Sequence, residues 1–225
     1  MNTTDFYSCK MQNIKKTVKV KDVPVMVINI NYPFFESCEK QGNEHAFLTK
    51  LNKFYSHTAE KYHTYICKKY PAKAEKLYNS SGGVKTAFLM NCTVSLNTHD
   101  ILSVFSDLSY FDGKSQKTVR FSQNWSSAKS ALLPASYFFE NTSKAKKYII
   151  NAITETAEEN MDKRDFAYFS DYRIIIRKKF DFDNFYFVPN GIAFFYNPGI
   201  LSDDLNPSIF VLPEKNIKNF MKVLY

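Results

Sequence analysis

The chain has 225 residues, of which 44% are hydrophobic and 23% charged, and it carries a formal net charge of +8. That length suits one domain or two small lobes around a real core, and the composition excludes a disordered or low-complexity chain. The charge permits attraction to nucleic acid, anionic membranes or acidic glycans but requires none of them. Lysine is enriched only over Lys10–Lys21 and Lys61–Lys76, and the second run falls on a predicted helix whose solvated face accounts for it. Nucleic acid is therefore not an expected partner.

Residues 1–21 read as a frayed, basic N-terminal segment. Val23 to Ile30 reads as a strand, with Pro24 suited to a strand start and Tyr32-Pro33 ending it. Asn43 caps a predicted long helix to Lys69, on which Phe47, Leu51, Phe54, Thr58, Tyr62 and Tyr65 recur at three and four residues. Tyr70-Pro71 breaks or kinks it, and Ser80-Ser81-Gly82-Gly83 is a loop. An antiparallel meander follows over Val84–Leu96, Ile101–Phe111 and Lys117–Asn124, with turns at Asn97–Asp100 and Asp112-Gly113.

A second helix spans roughly Thr142–Met161, capped by Asn141, Thr142 or Ser143, with Ile149, Ile150, Ile153, Ala157 and Met161 as its apolar stripe. A short helix near Ser170–Lys179 competes with a strand, because Ile174-Ile175-Ile176 is β-branched throughout. Phe185–Val188 and Ile192–Tyr196 flank Pro189-Asn190-Gly191 as a core-building hairpin. Ile209–Leu212 reads as a strand and Glu214–Leu224 as a closing helix. The class is α+β: an antiparallel sheet with packed helices in two small lobes, 22–110 and 111–225, after the segment 1–21.

Motifs for chemistry are sparse. There is no GxSxG, and His57 and His63 fall on different faces of one helix. His99-Asp100 sits in a turn, where aspartate is expected, and Asp181, Asp183, Asp203 and Asp204 match no calcium loop. Cys9, Cys38, Cys67 and Cys92 lie far apart with no CxxC, which favours free thiols over zinc or disulfides. Neither a catalytic residue, a cofactor site nor a metal site is expected. Trp125, the sole tryptophan, reads as core or rim packing, with sugar stacking as the functional alternative. No stretch reaches transmembrane length, and "MNTTDFYSCKMQNIKK" has no signal-like apolar run. A cytoplasmic location is expected if the chain is complete, and an extracytoplasmic one if a signal or anchor has been removed.

A strand, a helix carrying "LNKFYSHTAEKYHTYI", a meander ending in "FSQNW", a helix and then "FDFDNFYFVPNGIAFFYNP" form a recognisable order from Val23 to Leu212. It resembles the extracytoplasmic domain of RsiV-type anti-sigma factors and the N-terminal part of PdaC-type peptidoglycan deacetylases. Phe185 to Tyr196 resembles that family's "FYxxxxGxxFxF" hairpin. The resemblance implies a two-lobed α+β binding module, which in RsiV recognises lysozyme. It does not imply catalysis, because the deacetylase domain is a separate segment, and anti-sigma activity is not carried over. Two departures stand out: "YFDGKS" replaces a histidine-bearing "GGAH"-like turn, and "NPGILSDDLNPS" replaces a "YEIAPYAxG"-like loop.

The expectation is thus a non-catalytic binding or sensing module related to cell-envelope proteins, with a lysozyme-like protein or a glycan as partner. The alternative is an enzyme acting on cell-wall glycans through an unrecognised site. The partner-binding candidates lie on the proline-bounded loop after the hairpin, at Asn197, Pro198, Leu201, Asp203, Asp204 and Leu205, joined by Trp125. Animal-type lysozymes are basic, so a chain of charge +8 is a poor match for them.

Overall fold

The computed structural model describes residues 6–37, 44–140, 142–163 and 167–222. Asn43, Asn141, Cys38, Val223 and Leu224, which the sequence reading invoked, lie outside them. The stretch read as frayed is in fact a 14-residue strand, β1 (Tyr7–Val20), paired along its length with β2 (Val23–Ser37). The two-residue turn between them places Lys21 (φ 48°) and Asp22 (φ 64°) in the left-handed region, as a tight hairpin demands. Its residues are not the Asn-Gly pair that announces such a turn. Lys10, Lys15, Lys16 and Lys19 are exposed along β1, and lysines on a sheet edge discourage pairing with another chain.

β2 also runs past Pro33, contrary to expectation, to Ser37. Its pairing with β3 (Thr86–Asn97) stops at Asn31↔Asn91, so the proline falls where only the β1 side is paired. Between β2 and β3 the chain crosses over through α1 (Glu44–Lys69) and α2 (Pro71–Ser80), which makes this pair parallel in an otherwise antiparallel sheet. β4 (Ile101–Phe111), β5 (Gln116–Ser126) and β6 (Ala131–Leu132) complete the order β1-β2-β3-β4-β5-β6. The three meander strands thus form as the alternation predicts.

The buried line of α1 is rotated from the predicted one. Phe47, Leu51, Tyr55, Ala59 and Ile66 are buried, whereas Phe54 is half-buried and Tyr65 is 48% exposed. This line packs with Met26, Ile28, Phe35, Phe88 and Trp125 into the first core.

The second core lies between a three-stranded sheet and the later helices. Its strands are β7 (Phe185–Val188), β8 (Gly191–Tyr196) and β9 (Ser208–Pro213), in that order. Its helices are α3 (Ala135–Phe138), α4 (Thr142–Asp162), α5 (Tyr172–Lys179) and α6 (Glu214–Ile217). The ambiguous isoleucine run is therefore helical. The predicted closing helix is shorter than expected: a 3₁₀ turn at Lys218–Phe220 follows α6, and Met221 then bridges to Phe139.

In the β7–β8 hairpin, Pro189 and Asn190 (φ 63°) form the two corners. Gly191 is already in the strand, where an added Cβ would meet the Leu212 carbonyl oxygen at 2.7 Å. The glycine serves close backbone approach rather than the turn itself.

The two sheets meet through the edge of β7. Phe187 N donates to Ser103 Oγ at 2.9 Å, and Ser103 Oγ donates to Asn124 Oδ1 at 2.7 Å. Ser122 Oγ and Asn124 Nδ2 both donate to Phe185 O, at 2.6 and 3.0 Å. Beside them Arg120 makes two bonds to Asp107, at 2.8 and 2.7 Å, and its guanidinium lies 4.1 Å from the centre of the Phe105 ring. The side chains of this ion pair are only 8% and 25% exposed. Removing one partner leaves a desolvated charge, so Asp107→Ala should cost about 3 kcal/mol in urea unfolding, with Arg120→Met, Asp107→Leu recovering most of it. A loss below about 1 kcal/mol would show the pair behaving as a surface one.

Candidate functional site

The helical layer is narrower than the sheet it covers. On α1, Tyr62, Tyr65 and Ile66 stand at i, i+3 and i+4 and so share one side of the helix. Pro71 then opens α2, and the ring of Tyr70 comes 4.7 Å from Phe88 and 6.0 Å from Tyr110. On β5, Lys117 and Val119 are exposed and Phe121 is half-buried along one face. These side chains, with Leu108, enclose a groove of about 450 Å³ along the helix–sheet border.

The groove is walled by aromatics. Tyr65 and Tyr70 meet edge to face at 6.0 Å, and Phe88 and Tyr110 lie 4.8 Å apart. Tyr65 is 48% and Val119 52% exposed, whereas Phe88 is buried beneath them. Lys69 Nζ donates to the Tyr65 hydroxyl at 2.9 Å. That bond pulls the Tyr65 pKa below its ordinary value and raises that of Lys69. Burial, with smaller contributions from Tyr70 and Tyr65, pushes Tyr62 from 10.0 to about 12. The Tyr110 hydroxyl is buried, with no hydrogen-bond partner among the described residues.

The residues singled out from sequence lie elsewhere. Trp125 is 2% exposed; its indole N–H donates to the Tyr55 hydroxyl at 3.1 Å and its ring packs on Phe54. It has no free face for a sugar, which corrects the stacking alternative and leaves core packing. Asn197 Oδ1 accepts from Arg120 N at 2.6 Å, so it ties the loop to β5. Leu201 is 1% exposed and fills the second core, so it is no anchor for a partner. Pro198 is half-buried and Asp203 exposed, and Asp204 accepts from Asn206 N at 2.8 Å within its own turn. Of these candidates Leu205 is a large apolar side chain at 52% exposure, and Ile209 and Val211 on β9 are exposed too.

No group of three or more metal-ligating side chains gathers among the described residues. Cys67 and Cys92 are free thiols. Cys9, Met11 and Cys92 line a second cavity of about 340 Å³. Burial drives the Cys92 thiol up to about 11, which keeps it protonated and unreactive. His63 Nε2 lies 3.4 Å from Cys67 Sγ, and His99 pairs with Asp100 at the surface of a turn.

Sequence reasoning misses the groove because Tyr65 falls on the predicted core stripe of the helix and nothing in the predicted strand over Lys117–Asn124 singles out Val119. The folded state holds the Tyr62 proton more tightly than the unfolded chain does. Its stabilisation is thus intact below pH 10.0 and lost as the pH rises toward about 12. Urea unfolding over that range should show stability falling less steeply for Tyr62→Phe than for the wild-type chain. An identical slope in the two proteins would contradict the burial of this hydroxyl.

No family model and no curated protein sequence matches the chain. Solved structures do. A DUF3298-family protein from Bacteroides fragilis superposes with a TM-score of 0.63 at 14% identity, covering 98% of this chain and 95% of that one. A second, from Pseudomonas aeruginosa, gives 0.62 at 11% identity, covering 96% and 94%. At these identities the likeness is one of fold, and this chain carries the α+β architecture of those proteins over nearly its whole length.

Proposed function

We propose that the protein is a non-catalytic binding or sensing module related to RsiV-type cell-envelope proteins, and that its ligand is a glycan held in the tyrosine groove. The observation that carries this reading is the groove's lining. Tyrosine offers a sugar both things it needs, an apolar face for its C–H groups and a hydroxyl for its own hydroxyls. Tyr65 presents such a side chain at the surface, and Tyr62, Tyr70 and Tyr110 line the groove beside it. Among the described residues no carboxylate, histidine or cysteine lines the groove, whereas cutting a glycosidic bond ordinarily takes a pair of carboxylates.

One observation favours a second reading, a protein partner at the loop after the hairpin. Leu205 in that loop and Ile209 and Val211 on the strand that follows it are 52%, 41% and 53% exposed. Lysozyme is the partner that the RsiV resemblance suggests, and the net charge of +8 opposes it.

Calorimetric titration with soluble peptidoglycan fragments and, separately, with lysozyme distinguishes the readings. The expected result is glycan binding weakened about fivefold or more by Tyr65→Ala, as for an exposed aromatic contact, and unaffected by Leu205→Asp. Lysozyme binding that Leu205→Asp abolishes, with no glycan binding, would overturn the proposal.

A further inference from the structure

The rim of the groove is basic. Lys73 Nζ stands 5.9 Å from the centre of the Tyr70 ring and 5.4 Å from that of Tyr110. Lys117 is the cross-strand partner of Tyr110 and lines the groove. Lys69 Nζ lies 5.1 Å from the centre of the Tyr65 ring. Among the described residues none of the three forms an ion pair. Asp112 is the acid whose carboxylate feels Lys73, and it is already engaged by the Ser115 and Lys114 amides and the Ser115 hydroxyl. Cations resting against aromatic rings without an anionic partner leave a local field that an incoming anion would complete.

Two of these cations converge on one residue. Lys73 reaches the Tyr110 ring from α2, and Lys117 stands across from it on β5. The hydroxyl of that same Tyr110 is buried and without a partner among the described residues, an arrangement that folding alone leaves unfavourable. A carboxylate bound there would meet two ammonium groups and one hydroxyl donor. Building on the glycan reading above, we propose that the groove selects a carboxylate-bearing glycan. Its acid group sits between Lys73 and Lys117 against Tyr110, and a sugar face rests on Tyr65.

Single-stranded nucleic acid is also bound by aromatics in basic grooves, but its bases need ring faces free to stack. Here Tyr70 is packed edge to face against Tyr65 and Phe88 and faces Lys73. Tyr110 is likewise packed against Phe88 and faces Lys73. Exposed Tyr65 alone presents a wide ring surface, enough for one sugar and too little for a run of bases.

The test uses the full chain and a matched pair of probes, a hyaluronan hexasaccharide and the same oligosaccharide with its carboxyls reduced to alcohols. A thymidine hexanucleotide is the third probe. Calorimetry at low salt should show the acidic glycan binding about tenfold tighter than the reduced one, since each exposed lysine–carboxylate contact contributes up to about fivefold. High salt should narrow that gap. Lys73→Ala, Lys117→Ala should bring the acidic glycan to the level of the reduced one and leave the reduced one unchanged. Tyr110→Phe should weaken the acidic glycan without lowering the unfolding midpoint, which a merely structural hydroxyl would not do. Equal binding of the two glycans overturns the carboxylate selection while the glycan reading stands. Binding of neither overturns both, and tighter binding of the oligonucleotide replaces them with a nucleic-acid site.

Discussion

Everything in this architecture depends on how the edge of β7 ends on the face of the first sheet. An exposed strand edge is a row of unmet donors and acceptors, and burying one without partners costs about 1–3 kcal/mol per group. Here the buried groups are met by side chains. Ser103 receives Phe187 N, while Ser122 and Asn124 both reach Phe185 O. Arg120 then closes the seam, bound to Asp107, stacked on Phe105 and 3.4 Å from the Tyr186 hydroxyl. This commits one face of β4 and β5 to the second sheet. The helices must take the opposite face, and α1 and α2 lie mainly over β2, leaving Lys117 and Val119 of β5 uncovered. The groove is the remainder of that division.

The parts of the fold that were legible in the sequence are those whose pattern is local. The meander alternates from Val84 to Leu96 because one face of β3 meets the helices, and Phe88, Met90 and Cys92 are buried as that pattern requires. The hairpin announces itself through Pro189-Asn190-Gly191, although the left-handed corner belongs to Asn190 and the glycine is needed for its approach to Leu212. β1 was illegible because its stability comes from pairing with β2 rather than from its own alternation, and its lysines are exposed on both faces. The parallel β2–β3 pairing was hidden for a related reason, since a crossover leaves no turn signal between the strands.

The candidate site was illegible for a tertiary reason. A helical stripe drawn at three and four residues admits Tyr65 as readily as Ile66, and only packing decides that Ile66 is fully buried and Tyr65 half exposed. Likewise nothing local marks Val119 as lying beyond the reach of a helix. The loop favoured by sequence has the composition of a recognition loop, yet its Leu201 anchors it to the core and its Asn197 fastens it to Arg120. Fold likeness to DUF3298-family proteins leaves this question where the side chains put it, because a fold carries many functions and a site carries one.

The central claim is a location, so the most direct measurement is one that reports location. Methyl NMR of the isoleucine-, leucine- and valine-labelled protein during titration with an acidic oligosaccharide would read both surfaces in one experiment. The account predicts shifts at Val119 and Leu108, which line the groove, with Leu205, Ile209 and Val211 unmoved. Shifts confined to Leu205, Ile209 and Val211 would contradict it and place recognition on the loop and edge strand of the second sheet.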